Sequence, residues 1–451
     1  MSKSQKSKPQ LKMPKLLRCK CSTEHESGGM TVRVIVLLLI SVWASLGDEI
    51  PKAKWLRATA HVIPKWTAPE GEGYFAIVEG NNGRLYIGTH ANGVNSWLVE
   101  FAPKTEKMKV VVDAHKAAGV KASGFAAQAK IHSRNNVGRS GKIYFCTKQG
   151  YPVKGEPRSK YPGGYPMVYD PKTGKTEVFP IPVKHHGLIS ITPDESRGLA
   201  YLSTCSDSRP LDNSHFIVLD LKSRKYRDLG DLEHMYAFIV VDARGRAYHP
   251  IRGGDIGRFD PEAGKLEQLK QTIDGEPPTK ESHLADKNAH PINWDISPDR
   301  KTLYSVPMSG NALYAYDLTD KTGTMRGRKL GELLPKAKGS DCRAMCVGPT
   351  GTVWASVTQQ VNGYRRHHLV SWRSGDKQPK DHGPVAVANP NYTEFKGKDG
   401  KPLRYHHGFQ TLANGEFTTK YTTMGVCEGR DGYVNLLVLA PYTMLRLKAP
   451  K

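Results

Sequence analysis

Residues 141–148 read GKIYFCTK, and residues 166–174 read PMVYDPKTG. Both segments show the residue period of two that is typical of β-strands. The second segment runs into the turn DPKTG, where the Asp side chain can accept a hydrogen bond from its own backbone and Gly174 can take a positive φ angle. The two segments therefore predict antiparallel strands with tight connections.

The same pair of segments recurs along the rest of the chain in seven copies. The first segment reads GRLYIGTH, GKIYFCTK, GLAYLSTC, GRAYHPIR, KTLYSVPM, GTVWASVT and GYVNLLVL, with an aromatic residue at Tyr86, Tyr144, Tyr201, Tyr248, Tyr304, Trp354 and Tyr433. The second segment reads WLVEFAPKT, PMVYDPKTG, FIVLDLKSR, IGRFDPEAG, LYAYDLTDK, HLVSWRSGD and YTMLRLKAP. With one further strand before each pair of segments and one after it, the repeat is a four-stranded unit. A single unit of this kind cannot bury both of its faces, whereas units that stack around a ring can.

These repeats predict an all-β protein, a seven-bladed β-propeller with four-stranded antiparallel blades. The strand TAHVI at residues 59–63 is expected to complete the last blade and to close the ring. Six or eight blades stay open as alternatives, because residues 389–420 are irregular. The helical run DAHKAAG at residues 113–119 is predicted to be a short surface insertion.

The first 47 residues are expected to lie outside this fold. Residues 1–29 are polar, basic and without pattern, and we interpret them as an upstream extension that precedes the true start at Met30. In residues 30–47 a cation precedes a short apolar run and small residues, which is the order of a secretory signal peptide. An uncleaved N-terminal anchor is the alternative. Residues 48–451 then form a single β-propeller domain, secreted or periplasmic and free of the membrane after cleavage.

The chain carries 66 Lys and Arg against 43 Asp and Glu, a formal charge of +23. Because an exported protein rarely meets nucleic acid, this excess favours an anionic polysaccharide as partner rather than nucleic acid. Lysines spread for solubility are the alternative explanation. We expect the protein to be a monomer.

Polar residues precede or follow several of the predicted strands. In QAKIHSRN, residues 128–135, a strand would place Gln128, Lys130, His132 and Arg134 on one face, which we expect to line a cavity. A solvated outer edge is the alternative. Further candidates are Asn135, Lys148, Tyr151, His186, Tyr236 and Arg252. A hairpin brings the start of the strand at Tyr236 close to the strand end at Arg252.

This set of His, Tyr, Arg and Lys, without clustered carboxylates, disfavours glycoside hydrolysis and calcium-dependent lactonases. It suits β-elimination on a uronic acid, because a cation must neutralise the sugar carboxylate before a base removes the neighbouring proton. A His or Tyr then takes the proton, and a Tyr or His protonates the leaving oxygen.

The His132 strand, the Tyr236–Arg252 hairpin and the seven repeats resemble the propeller-type ulvan lyases and related secreted polysaccharide lyases. The resemblance covers most of residues 55–450. It implies that His132 is the catalytic histidine, Tyr236 the catalytic tyrosine and Arg252 the residue that neutralises the carboxylate. Where the family often has another histidine, this chain has Lys148, which keeps the charge but is a poorer proton shuttle. Lys130, Arg134, Asn135, Tyr151 and His186 would then bind substrate.

The resemblance also implies a structural zinc ion and no organic cofactor. Its candidate ligands are His290, Cys342, Cys346 and His368, with His367 as the alternative to the last. On a regular strand, positions four apart point to the same side, so DCRAMC would present both sulfurs together. Two small buried residues in a blade are the alternative.

The favoured hypothesis is thus a polysaccharide lyase that cleaves an anionic uronate polymer by β-elimination. A non-catalytic propeller that binds a glycan or a protein is the alternative. A third possibility is another propeller enzyme, such as a lactonase or an antibiotic-opening lyase.

Overall fold

The computed structural model of the protein describes residues 54–207, 213–234, 238–279, 292–307, 310–320, 322–335, 340–361, 364–389, 409–412, 414–421 and 423–451. The predicted extension (1–29) and signal peptide (30–47) lie outside the described residues, as do Tyr236 and His290. The assignments made for these parts of the chain stay predictions.

Strands make up most of the regular structure in the described residues. They are β1 Leu56–Val62, β2 Ile77–Glu79, β3 Leu85–Gly88, β4 Trp97–Ala102, β5 Lys107–Asp113, β6 Asn136–Val137, β7 Ile143–Cys146, β8 Pro166–Tyr169, β9 Thr176–Val178, β10 Gly187–Asp194, β11 Leu199–Cys205, β12 His215–Asp220, β13 Tyr226–Asp231, β14 Val240–Val241, β15 Ala247–Pro250, β16 Ile256–Asp260, β17 Lys265–Ile273, β18 Ile292–Ile296, β19 Thr302–Pro307, β20 Ala312–Asp317, β21 Thr324–Glu332, β22 Asp341–Val347, β23 Val353–Val361, β24 Tyr364–Trp372, β25 Lys380–Val387, β26 Phe409–Thr411, β27 Phe417–Thr419, β28 Thr423–Glu428, β29 Tyr433–Val438 and β30 Thr443–Lys448.

Helices are short in the described part of the chain. Single 3₁₀ turns lie at Lys65–Thr67, Gly124–Ala126, Arg158–Lys160 and Glu195–Arg197. The predicted helical run forms α1, Ala114–Ala118. The Asp113 side chain caps its start by accepting a hydrogen bond from the Lys116 amide, and Gly119 ends it in the left-handed conformation.

Apart from β26 and β27, which form a two-stranded sheet of their own, the strands form four-stranded antiparallel sets in chain order. Three are separate, namely β2–β5, β6–β9 and β10–β13. The sets β14–β17 and β18–β21 join through a parallel contact between β17 and β21. The set β22–β25 joins β28–β30 through β1, which pairs with β25 in parallel and with β30 antiparallel. The predicted all-β class and the four-stranded antiparallel sheets are confirmed, and so is the pairing of residues 59–62 with the last strand.

The repeated segments fall on equivalent strands. Segments like GKIYFCTK form the second strand of each four-stranded set. Segments like PMVYDPKTG form the third strand. The turn after Tyr169 follows the predicted chemistry, since Asp170 Oδ1 accepts from the Lys172 amide at 2.9 Å and Gly174 has a φ angle of 71°. Local turn chemistry therefore sets the register of these hairpins.

The core lies between neighbouring sheets. On β11, Tyr201 packs with Ala247 and Phe259 of the following sheet. The next residue, Leu202, packs with Cys146 and Val168 of the preceding sheet. Because successive side chains point to opposite faces, each sheet is apolar on both sides and needs a neighbour on both sides.

Candidate functional site

Three segments lie side by side at one end of the first sheets. The backbone of Lys130, ahead of β6, forms bridges with His90 beyond β3 and with Lys148 beyond β7. The amide of Lys130 donates to the Lys148 carbonyl at 3.1 Å, and the Lys148 amide donates back at 2.8 Å. These bridges bring together residues that are 18 to 58 positions apart in the sequence.

A group of polar side chains surrounds these segments, and we call it the polar cluster. It consists of Glu72, Tyr74, His90, Lys130, His132, Lys148, Tyr151 and Asp207. They come from the β2–β5 sheet and the segment before it, from the β6–β9 sheet, and from the residues that follow β11. Of the predicted site residues, the structure therefore brings together Lys130, His132, Lys148 and Tyr151.

Two tyrosines connect the cationic and anionic parts of the cluster. The Tyr151 hydroxyl donates to Glu72 Oε1 at 2.7 Å and lies 2.5 Å from the Tyr74 hydroxyl. Lys130 Nζ donates to the Tyr74 hydroxyl at 3.3 Å and lies 3.7 Å from the centre of the Tyr151 ring. Lys130 thus meets both a hydrogen-bond acceptor and the negative face of an aromatic ring.

His132 is held between two aromatic rings. Its ring centre lies 3.8 Å from that of Tyr74 and 4.6 Å from that of Phe75, and the residue is only 3% exposed. Burial, followed by the positive charges of Lys148 and Lys130, lowers the pKa of His132 well below its usual value. The imidazole is therefore neutral at neutral pH, and the same burial and cations oppose its protonation at rest.

His90 lies on the other side of the tyrosines. Its Nδ1 is 3.4 Å from Glu72 Oε2, and burial lowers the pKa of His90 to about 4. Burial raises the pKa of Glu72, but its hydrogen bonds with His90 and Tyr151 outweigh this and leave the pKa below the ordinary value. Glu72 is therefore a carboxylate in the resting state, while both histidines are neutral.

Lys148 is fully buried and forms an ion pair with Asp207, Nζ to Oδ2 at 2.7 Å. With Glu72, Asp207 gives the cluster two carboxylates. The expectation of a basic set without clustered carboxylates is therefore wrong. A cation as deeply buried as Lys148 needs an opposite charge, and a loop after β11 supplies it.

Lys130 is also buried, and its pKa responds to that burial. Loss of hydration, together with the nearby charge of Lys148, lowers the pKa of Lys130 to about 7. In the unfolded chain this lysine has its ordinary pKa of 10.5. Between about pH 7 and pH 10.5 the unfolded chain therefore holds the proton on Lys130 more often than the folded chain does. Folding stability contributed by this group therefore rises with pH between about 7 and 10.

We expect Lys130→Met to weaken this pH dependence. Urea unfolding at several pH values should show the wild type gaining stability relative to the variant as the pH rises from 7 to 10. The exposed Lys222→Met variant is the control and should follow the wild type throughout. A constant difference between wild type and Lys130→Met over this range would contradict a lowered pKa at Lys130.

The predicted common face of residues 128–134 is wrong. The Gln128 amide donates to the Gly163 carbonyl at 3.0 Å, and Gln128 Oε1 accepts from Thr147. Arg134 turns to Asp295, with Nη2 2.5 Å from Oδ2. Residues 131–135 precede β6 and form no regular strand, so their side chains do not alternate as in a strand.

Arg134 and Asn135 line a different space. They border a cavity of about 210 Å³ between the first strands of several sheets, together with Phe75, Asp295 and Cys346. Phe75 separates this cavity from His132, because its ring stacks on the imidazole. Substrate binding by Arg134 and Asn135 stays a prediction.

His186 borders the polar cluster. Its Nδ1 lies 3.1 Å from the Thr204 hydroxyl, and its ring packs against His215. The next residue, Gly187, lies against the Lys148 side chain, where an added Cβ would come within 2.5 Å of Lys148 Cγ. His186 is thus next to the cluster, and its contact with substrate stays a prediction.

Arg252 lies in the connection between β15 and β16. Its Nη1 donates to Glu233 Oε2 at 2.9 Å, and both side chains are largely exposed. Asp231 and Glu233 line the same shallow depression, so acidic groups surround this guanidinium. Because Tyr236 is outside the described residues, its predicted approach to Arg252 stays a prediction.

The predicted zinc ligands are divided between sheet faces. The register of β22 against β23 shifts between Cys342 and Ala344, which marks a β-bulge. Cys342 therefore packs with Val357 on one face, while Cys346 packs with Trp354 on the other. The expectation that both sulfurs point to the same side is wrong.

His368 takes a carboxylate partner in place of a thiol. Its Nδ1 lies 3.0 Å from Asp381 Oδ2, and the alternative ligand, His367, contacts Thr358. Among the described residues, no group of three or more His, Cys, Asp and Glu side chains is arranged to hold a metal ion. Since His290 is outside the described residues, the zinc site stays a prediction.

Sequence reasoning missed Glu72, Tyr74, His90 and Asp207. The repeat contained a signal for one of them, because His90 follows Tyr86 by the same four positions by which Lys148 follows Tyr144. Arg252 has the same position after Tyr248. Glu72 and Tyr74 precede β2 in a segment without a strand pattern, and Asp207 follows β11 in a connection.

Comparisons with known proteins define the class of fold. No protein-family model and no curated protein sequence matches this chain. Among solved structures, streptogramin B lyase is 14% identical with a TM-score of 0.53, covering 88% of this chain and 98% of that one. The extracellular domain of a hybrid two-component system from B. thetaiotaomicron is 10% identical with a TM-score of 0.51, covering 88% of this chain and 40% of that one.

A third similar structure is the WD40-repeat domain of RRP9, 8% identical with a TM-score of 0.51 over 88% of this chain and 99% of that one. These similarities show that the chain has a β-propeller fold. At such low identity they show the fold alone. No helix in the described ranges has the length and hydropathy of a membrane span.

Proposed function

We propose that this protein is a secreted seven-bladed β-propeller that acts as a lyase on an anionic, uronate-containing polysaccharide. One observation carries the proposal. A neutral imidazole, His132, is fixed against a tyrosine and lies close to the buried lysines Lys130 and Lys148. A neutral base with adjacent cations is the combination that β-elimination beside a carboxylate requires.

The blade count follows from treating each four-stranded set as one blade. The sets β2–β5, β6–β9, β10–β13, β14–β17, β18–β21 and β22–β25 supply six blades. The seventh combines β28–β30 with β1, so that the N-terminal strand completes the C-terminal blade. Such a joint between chain ends closes a propeller ring without an exposed sheet edge.

In the proposed reaction His132 removes the proton next to the sugar carboxylate. The electron pair of that C–H bond forms the new carbon–carbon double bond, and the bond to the leaving glycosidic oxygen breaks. An acid then protonates the leaving oxygen. A positioned proton transfer contributes about 10²–10⁴-fold to the rate. By resemblance, Tyr236 is the catalytic tyrosine and Arg252 the cation for the carboxylate.

The cluster itself offers cations for the sugar carboxylate. Lys130 and Lys148 lie on either side of a shared backbone bridge, and both act electrostatically on His132. A substrate carboxylate would share with Asp207 the ion pair to the Lys148 ammonium group. Its negative charge would also favour the protonated form of Lys130. Substrate binding would therefore strengthen the positive charge at the point where negative charge develops.

Secretion is supported by the predicted signal peptide at residues 30–47 and by the extracellular origin of one similar propeller. Streptogramin B lyase shares the fold and is named as a lyase. That name supports the general suitability of a propeller for elimination chemistry, and we transfer none of its residues to this chain.

A non-catalytic propeller that binds a glycan or a protein is the second candidate. The ion pair between Lys148 and Asp207 favours it, because a paired cation gains less from a substrate carboxylate. The burial of His132 also favours it, since a base must reach its substrate.

The decisive experiment incubates the secreted protein with ulvan, pectate, alginate and glycosaminoglycans. Cleavage by elimination creates an unsaturated uronate, so we expect ultraviolet absorbance to rise with at least one polymer. A parallel binding assay on the same polymers separates the two candidates. Binding without any rise in absorbance would overturn the lyase proposal and support the binding propeller.

A further inference from the structure

The polar cluster contains one continuous chain of hydrogen bonds. Lys130 Nζ donates to the Tyr74 hydroxyl at 3.3 Å, and the Tyr74 and Tyr151 hydroxyls are 2.5 Å apart. Tyr151 donates its proton to Glu72 Oε1 at 2.7 Å. Because the Tyr151 proton is directed to Glu72, the Tyr151 oxygen is the acceptor for Tyr74. The order of donation is therefore Lys130 to Tyr74 to Tyr151 to Glu72.

Tyr74 is the member of this chain whose ring packs against the base. Its ring centre is 3.8 Å from that of His132, whereas Tyr151 packs on the side of His90. Burial and the negative charge of Glu72 raise the pKa of Tyr74 well above its ordinary value. Tyr74 thus keeps its proton at rest, and below about pH 7 the ammonium group of Lys130 beside it can stabilise a phenolate.

We propose that Tyr74 is the proton donor to the leaving oxygen, with Lys130 as its proton source and with Tyr151 and Glu72 as positioning residues. This inference rests on the proposed lyase function and gives Tyr74 the acid role, whereas the resemblance names Tyr236 as the catalytic tyrosine. It places acid and base next to each other, on the two neighbouring rings of Tyr74 and His132.

The proton balance of the step is complete. His132 gains the proton from the sugar carbon, the Tyr74 hydroxyl turns from Tyr151 to the leaving oxygen and gives up its proton there, and Tyr74 recovers a proton from the Lys130 ammonium. After product release, His132 loses one proton to water and Lys130 takes one up. No oxidant, reductant or further reactant is needed.

The test compares turnover by the full secreted chain and its variants on the polymer that gives the strongest absorbance signal. We expect Tyr74→Phe to lower kcat by about 100-fold with little change in KM, since the ring and its packing remain. Tyr236→Phe is measured in parallel, because a loss of kcat larger than that of Tyr74→Phe would assign the acid role to Tyr236 instead. Tyr304→Phe, a buried tyrosine in a different sheet, is the matched control and should match the wild type.

A pH profile separates a proton donor from a merely structural tyrosine. The wild-type kcat should fall as the pH rises above neutrality, where Lys130 loses its proton. Lys130→Arg keeps the charge but is too weak an acid to supply the proton, so we expect a low kcat without this fall. Glu72→Gln and Tyr151→Phe should reduce kcat less than Tyr74→Phe.

The outcomes distinguish this inference from the function on which it rests. An active wild type with a nearly normal Tyr74→Phe and an inactive Tyr236→Phe would overturn the role of Tyr74 and leave the lyase proposal standing. A wild type that cleaves none of the polymers would overturn the lyase proposal itself. Circular dichroism and thermal unfolding of each variant show whether a loss of kcat comes from misfolding.

Discussion

If the protein is the proposed lyase, we expect the replacement of His132 with Gln to lower turnover of the uronate polymer by about 10²–10⁴-fold, which is the contribution of one positioned proton transfer. The amide of Gln is close in size to an imidazole but cannot accept a proton at neutral pH. Because His132 is neutral in the folded protein, its replacement removes no charge from the buried cluster. We therefore expect the loss in kcat with a small effect on stability.

The measurement is the rise in ultraviolet absorbance per enzyme molecule, with unfolding curves recorded in parallel. His382→Gln is the matched control, because that histidine is half-buried on β25 and contacts Ser371 outside the cluster. Its activity should equal that of the wild type. Full activity of a folded His132→Gln variant would show that this imidazole is not the base.

Replacing Asp207 with Ala lowers the free energy of unfolding by about 3 kcal/mol, the lower end of the range for breaking a buried ion pair. Lys148 is fully buried, so losing the Asp207 carboxylate leaves its ammonium group away from water and without this ion pair. Asp207 is 21% exposed, and water that reaches it keeps the loss at this lower end.

The double variant with Lys148→Met provides the control for this loss. Methionine has a similar length and no charge, so it removes the cost of the buried cation. We expect urea unfolding to show that the double variant recovers most of the stability lost in Asp207→Ala. If the double variant is no more stable than Asp207→Ala, then the charge of Lys148 is not the source of the loss.

Much of the fold was predictable because its determinants are local. The alternating strands, the Asp turns and the glycines act over fewer than ten residues, and Asp170 with Gly174 forms the expected turn. The same local character explains why the helix at Ala114–Ala118 was predictable, since it carries its own cap at Asp113. No distant contact was needed for either prediction.

The candidate site was predictable only in part. Lys130, His132, Lys148 and Tyr151 all lie near predicted strand ends, and the structure joins them. Their partners Glu72, Tyr74 and Asp207 lie in connections, whose paths depend on the packing of whole sheets. Sequence reasoning therefore found the cations and missed the carboxylates that pair with them.

Cys342 and Cys346 show how one inserted residue can change which face of a strand a side chain occupies, against the prediction from the two-residue alternation. A regular strand would place Cys342 and Cys346 on the same face. The bulge at Arg343 adds one residue to β22 and moves Cys342 to the opposite face. The period of two in a sequence does not record such an insertion, because it depends on pairing with the neighbouring strand.

The amino-acid sequence by itself determined the all-β class, the four-stranded repeat and its turns, since these follow from hydrogen bonding and burial within short stretches. Only the tertiary structure decided which charges meet. Glu72 and Asp207 reach the lysines from two different connections, and electrostatic energy in a buried site depends on distances in space that the order of residues does not contain.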